Sequence, residues 1–136
     1  MATMPTDESI RSAIEEVLGC PMALWLFGSG AEGRLRDDSD LDLAVLMPAP
    51  IEPLRCYDAA QELALRLGRD VDLIDLHAAP PALRAEVVGH GRRLAVADAR
   101  VADLFACHAL ADYARLNEER APVLQALEIG RASCRE

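Results

Sequence analysis

The chain has 136 residues, 23 acidic and 14 basic side chains, a formal charge of −9 and 51 % apolar residues. That length allows one domain with a real core and not two. The acidic balance argues against direct nucleic-acid binding and favours a basic partner surface, and no apolar run approaches the ~18 residues of a membrane span.

Asp7 to Leu18 carries Ile10, Ala13, Ile14, Val17 and Leu18 at the spacing of an amphipathic helix, with Thr6 as N-cap and Gly19 as its end. No basic region followed by an apolar one precedes it, so no secretory signal is read and the expected location is the cytoplasm. Pro21 to Phe27 is the first expected strand. Ser29 to Gly33 is expected to open a short helix whose amides face a phosphate site. Leu41 to Met47 is the second strand, followed by a stiff turn at Pro48, Pro50 and Pro53. Helical spacing of Leu54, Tyr57, Ala60, Ala64 and Leu67 predicts a helix from Pro53 to Leu67 with Gly68 beyond it. Asp70 to Leu76 is the third strand. Pro80 and Pro81 open a helix through Val88, Gly89 and Gly91 close it, and Arg92 to Val96 forms an edge strand. Asp98 caps a last helix to about Glu119. The predicted architecture is α+β, a mixed sheet with helices mainly on one face.

Two compositional features bear on chemistry. Every basic side chain is arginine, so side-chain phosphate contacts fall to arginine and a lysine base or nucleophile is excluded. The cysteines at 20, 56, 107 and 134 show neither metal-ligand nor redox spacing and read as reduced, buried thiols.

Chemistry concentrates between the first two strands. Gly28-Ser29 is followed by ten residues and then Asp40-Leu41-Asp42. In a strand, residues two apart share a face, so Asp40 and Asp42 point the same way. Two hard oxygen ligands so placed suit Mg²⁺, which is held by one or two carboxylates together with substrate phosphates. Gly28 allows close backbone approach, and Ser29 adds a hydroxyl beside exposed amides. Ser39 is a further nucleotide-binding candidate, although serine often satisfies backbone groups at the start of a strand. Asp37 and Asp38 read as solvated turn residues, and Arg34 and Arg36 as either phosphate contacts or partners of these acids.

Val71-Asp72-Leu73-Ile74-Asp75-Leu76 puts two carboxylates in an apolar strand, where an unpaired charge is costly. Asp72 shares a face with Ile74 and Leu76, Asp75 with Val71 and Leu73, and parity alone leaves open which face is functional. Asp70 and Asp75 read as turn or capping acids. His77 and His90 read as surface or loop residues, His108 as a packing residue on the last helix, and Trp25 and Phe27 as core.

The Gly-Ser, ten-residue, Asp-x-Asp pattern flanked by apolar strands resembles the signature of the polymerase β-like nucleotidyltransferase superfamily, most closely its minimal nucleotidyltransferase (MNT) branch. The resemblance covers the chain to about Leu127 and departs from the commonest form at Glu32, which stands where an arginine is usual. That charge lowers nucleotide affinity unless it points away. The resemblance implies a polymerase β-like core. It also implies that Asp72 is the third acid, completing the metal set with Asp40 and Asp42 and taking the proton from an attacking hydroxyl.

It further implies a two-Mg²⁺ antitoxin that transfers AMP from ATP to a tyrosine of a HEPN-domain ribonuclease toxin encoded beside it. Two other readings stay open: a nucleotidyltransferase for an aminoglycoside-type antibiotic, and an antitoxin acting by occlusion without catalysis. Residues 128–136 resemble one frame of a sequencing-adapter sequence, so the expected domain is residues 1–127, and the tail is set aside from fold reasoning.

Overall fold

The computed structural model describes residues 5–28 and 40–134, those beyond 122 by their backbone alone. Among the described residues four strands, β1 (Ala23–Phe27), β2 (Leu41–Leu46), β3 (Val71–Asp75) and β4 (Arg92–Val96), and four helices, α1 (Asp7–Leu18), α2 (Pro53–Leu67), α3 (Pro81–His90) and α4 (Ala99–Cys134), follow in the order α1-β1-β2-α2-β3-α3-β4-α4. The strand order is β3-β2-β1-β4. β1 pairs antiparallel with β2 and β4, while β2 and β3 are parallel. A parallel pair needs a crossover, and α2 supplies it. The α+β mixed sheet is therefore as the sequence predicts.

Local signals fix the element ends. Thr6 Oγ1 accepts a hydrogen bond from the Ser9 amide at 3.1 Å, capping α1, as the sequence suggests. Gly68 ends α2 in the left-handed conformation at φ 71°, which costs glycine nothing. Asp98 Oδ1 accepts from the Arg100 amide at 3.0 Å at the start of α4.

The helices divide between the two faces of the sheet, which corrects the expectation that they lie mainly on one. One cluster packs Ile10, Ile14 and Val17 of α1 and Ala59 and Leu63 of α2 against Leu24, Leu26, Leu41, Leu43, Val45 and Leu73. The other joins Val87 of α3 and Ala102 of α4 to Ala23, Trp25, Ala44, Leu46 and Leu76. Strands covered on both sides cannot alternate apolar with polar residues, and β1 reads Ala-Leu-Trp-Leu-Phe with only Phe27 short of full burial. Trp25, 1 % exposed, is the largest fully buried side chain, with the Phe105 ring 6.2 Å away.

Two further expectations change. α4 continues past Glu119, through Pro122 to Cys134, because an isolated proline removes one hydrogen bond and kinks a helix without always ending it. Cys20, Cys56 and Cys107 are free thiols as expected, yet Cys20 and Cys107 are exposed and Cys56 is half-buried. The expected helix from Ser29 to Gly33 lies outside the described residues. Among the described residues no helix is long and apolar enough to cross a membrane.

Candidate active site

The sheet brings three of the acids into one row at the end where β1 finishes and β2 and β3 begin. Phe27 of β1 lies opposite Asp42 of β2, and Asp42 lies beside Asp72 of β3 in the parallel register. Neighbouring strands stand about 4.7–4.9 Å apart. Asp72 shares its parity with Ile74, which packs against the face that carries Trp25 and Leu46, whereas Leu73 packs against the opposite cluster. Asp40, just before β2, has the parity of Asp42. Asp72, and not Asp75, thus stands beside Asp42 of the Asp-x-Asp pair.

Asp75 has a different task. Buried to 7 % exposure, it accepts the Ile51 amide at 2.9 Å on Oδ2 and the His77 amide at 3.0 Å on Oδ1. These bonds satisfy its charge and tie the loop between β2 and α2 to the end of β3. His77 adds a contact between its Nε2 and the Met47 carbonyl at 2.7 Å, in keeping with the loop-packing reading. Asp70 is exposed at the turn before β3.

The expectation that an unpaired carboxylate in this strand is costly is met at Asp75, which is buried and takes two amide donors. β3 is an edge strand, and Asp72 is exposed whereas Asp75 is buried. The cost of a buried charge therefore applies to Asp75, and what distinguishes Asp72 is its position next to Asp42. His108, expected on a packing stripe, is exposed, although it lines an apolar hollow with Met22 and Phe105.

Electrostatics shows how closely the row is drawn. The Asp42 carboxyl is held above its ordinary pKa, first by burial, then by the charge of Asp72 and then by that of Asp40. Asp72 and Asp40 both repel the Asp42 carboxylate, and a cation placed there would relieve it. Among the described residues no group of three or more His, Cys, Asp or Glu is placed to hold a metal ion, so an ion at these acids would need further oxygens from its substrate and from water. An open set of hard oxygens fits Mg²⁺, which completes its octahedron with phosphate and water.

Gly28 is tied to this row directly. It adopts φ +69°, and a Cβ on its backbone would collide with Asp42 Oδ2 and lie 3.3 Å from Asp42 Cγ. The sequence suggested glycine here for access to phosphate; the structure adds that the absent side chain makes room for the carboxylate. Gly28→Ala should destabilise the fold by about 1–2 kcal/mol from the left-handed backbone alone and should push Asp42 aside. A thermal melt together with a magnesium–nucleotide titration checks this, and unchanged affinity would refute the coupling of Gly28 to Asp42. Ser29, Glu32, Arg34, Arg36, Asp37, Asp38 and Ser39 lie outside the described residues.

Sequence reasoning missed Arg84. From α3 its Nε donates to the Leu76 carbonyl at 2.8 Å and a terminal nitrogen donates to the His77 carbonyl at 2.7 Å, clamping the end of β3. Only the three-dimensional turn makes those two carbonyls neighbours, so spacing in the chain gives no sign of it.

Comparison with known proteins agrees with this geometry. The family model described as polymerase beta, nucleotidyltransferase, matches residues 9–100. Protein adenylyltransferase MntA of Shewanella oneidensis is 35 % identical over 101 residues, covering 74 % of this chain and 72 % of that protein. The crystal structure of a toxin–antitoxin with AMP-PNP superimposes with a TM-score of 0.83 at 29 % identity, covering 91 % of this chain and 99 % of the other. A structure of the tri-AMPylated Shewanella oneidensis HEPN toxin in complex with MNT antitoxin gives 0.76 at 28 % identity, covering 90 % of this chain and 95 % of the matched chain.

Proposed function

This chain belongs to the polymerase β nucleotidyltransferase family, and from that premise we propose that it is a cytoplasmic antitoxin that transfers AMP from ATP to a tyrosine of a HEPN-domain toxin. The observation that carries the reading is the row of carboxylates, with Asp42 beside Asp72 across β2 and β3 and its carboxyl pKa raised by burial and then by Asp72 and Asp40. The MntA relative is a protein adenylyltransferase, and the matched complexes pair a toxin with an antitoxin in the presence of a nucleotide analogue or of AMP already transferred. A protein acceptor suits a single domain of net charge −9 better than a polyanionic one does.

Asp40, Asp42 and Asp72 would hold two Mg²⁺ ions, which supply charge neutralisation at the triphosphate and at the attacking and leaving oxygens. Gly28, Ser29 and Ser39 would receive the phosphates. The tyrosine oxygen attacks the α-phosphorus, the bond from that phosphorus to the bridging oxygen of the β-phosphate breaks, and pyrophosphate departs. Asp72, exposed at the strand edge where an acceptor can approach, takes the phenolic proton. In this reading Asp40 and Asp42 serve as scaffold and Asp72 acts on the acceptor side.

Incubating the protein with ATP labelled in the adenine ring, Mg²⁺ and the HEPN-domain protein encoded beside it should place label on a tyrosine of that partner. Absence of label from the partner would refute the reaction.

A further inference from the structure

We propose that the groove along the edge of β3 docks an extended, basic segment of the acceptor protein and so delivers its tyrosine to Asp72; this inference rests on the adenylyltransferase reading. The groove encloses about 540 Å³ and runs between α2 and the entry to α3, with β3 as its floor. Cys56 and Tyr57 line one side, Ala79 and Leu83 the other, and Ile51 is among the residues at the end of the loop fixed by Asp75. Asp72 also lines it. One carboxylate therefore belongs both to the groove and to the catalytic row, so a side chain carried along the groove arrives at the acid that accepts its proton.

Among the described residues the floor is a strand with one side unmatched. β3 ends the sheet. The Leu76 amide donates to the Val45 carbonyl at 3.0 Å, so by two-residue alternation the backbone groups of Ile74 and Asp72 turn toward β2, and those of Leu73 and Val71 turn outward. The Leu73 carbonyl takes the Cys56 thiol at 3.7 Å. A thiol is a weak donor, readily replaced by the amide of an added strand, and strand addition is a recurring way to bind an extended segment.

Composition and charge specify the occupant. Leu54, Tyr57 and Leu65 on the outer face of α2 are 66 %, 62 % and 85 % exposed, and Tyr57 belongs to both this stripe and the groove. Exposed apolar side chains continuous with a groove mark a contact surface. Around them stand the exposed acids Glu52, Asp58 and Asp72. The nearby cations are engaged elsewhere: Arg66 with Glu16 and Glu62, and Arg55 with the Val17 carbonyl at 2.6 Å. The rim therefore favours arginine and lysine flanking the acceptor tyrosine.

Tyr57→Arg combined with Gln61→Arg tests this on two exposed positions outside the catalytic row. With the full HEPN-domain partner as acceptor, the double variant should raise KM for the partner at least tenfold. It should leave magnesium–ATP affinity and kcat at saturating partner within twofold of the parent. Backbone hydrogen exchange on the parent chain should slow at Val71–Leu73 when the partner is added. An unchanged KM, or protection confined to other elements, overturns the groove assignment while leaving the transfer reaction standing. Dimerisation of this chain that the double variant abolishes would assign the groove to a second copy and overturn it as well. If the parent labels no partner tyrosine, the adenylyltransferase reading itself falls, and the docking role with it.

Discussion

Asp42→Asn should abolish magnesium-dependent nucleotide binding and reduce AMP transfer by about 10³-fold or more. Asp42 is the centre of the row, with Asp72 beside it in register and Asp40 two residues away in sequence. Losing its charge removes an oxygen donor of full charge from each ion it contacts. Metal clamps contribute several kcal/mol to the transition state, and each 1.36 kcal/mol is tenfold in rate. The same change should make the metal-free protein melt higher. Folding raises the pKa of Asp42 through burial and through Asp72 and Asp40. Its charged form is thus disfavoured in the native state, and stability falls as pH rises from the unfolded carboxylate value through the folded one. At neutral pH asparagine removes that penalty. Calorimetry with and without Mg²⁺ reads both effects: the parent gains stability from the metal, whereas the variant starts higher and gains little. A metal-free variant that melts below the parent would contradict the repulsion.

Asp72→Asn should behave differently. Asp72 is exposed on an edge strand, so its replacement leaves the core intact and the melting temperature within a few degrees of the parent. Nucleotide affinity should be largely retained through Asp40 and Asp42, while turnover falls by roughly 10²–10⁴, the usual contribution of a positioned general base. The signature is a loss in kcat without a matching loss in ATP binding. Equal losses in both would make Asp72 a scaffold ligand with no share in proton transfer.

The sequence disclosed the parts that depend on short-range rules. Parity placed Asp40 with Asp42, helical spacing and caps set α1 and α2 to the residue, and the fixed distance from Gly28-Ser29 to Asp40 pointed to the site. What it missed depends on neighbours distant in the chain. Parity left Asp72 and Asp75 open and only the family resemblance favoured Asp72; the geometric ground lies in the register of β3 against β2 and in the loop amides that satisfy Asp75. The distribution of helices over two faces was present as a signal, since β1 and the Leu43–Leu46 stretch lack alternation, but a run of apolar residues does not say which helix covers which side. The role of Gly28 beside Asp42 and the groove along β3 arise only once the strands are placed together.

On the proposed function, neutralisation of the toxin is chemical. The most direct measurement is residual ribonuclease activity of the HEPN-domain partner after incubation with ATP, Mg²⁺ and equal concentrations of either the parent or Asp40→Asn. The parent should silence the partner at substoichiometric amounts, and the partner should stay silent after the antitoxin is removed, its tyrosine carrying AMP, whereas Asp40→Asn should leave it active. Protection by Asp40→Asn equal to that of the parent, with no AMP on the partner, would establish occlusion and contradict the enzymatic account.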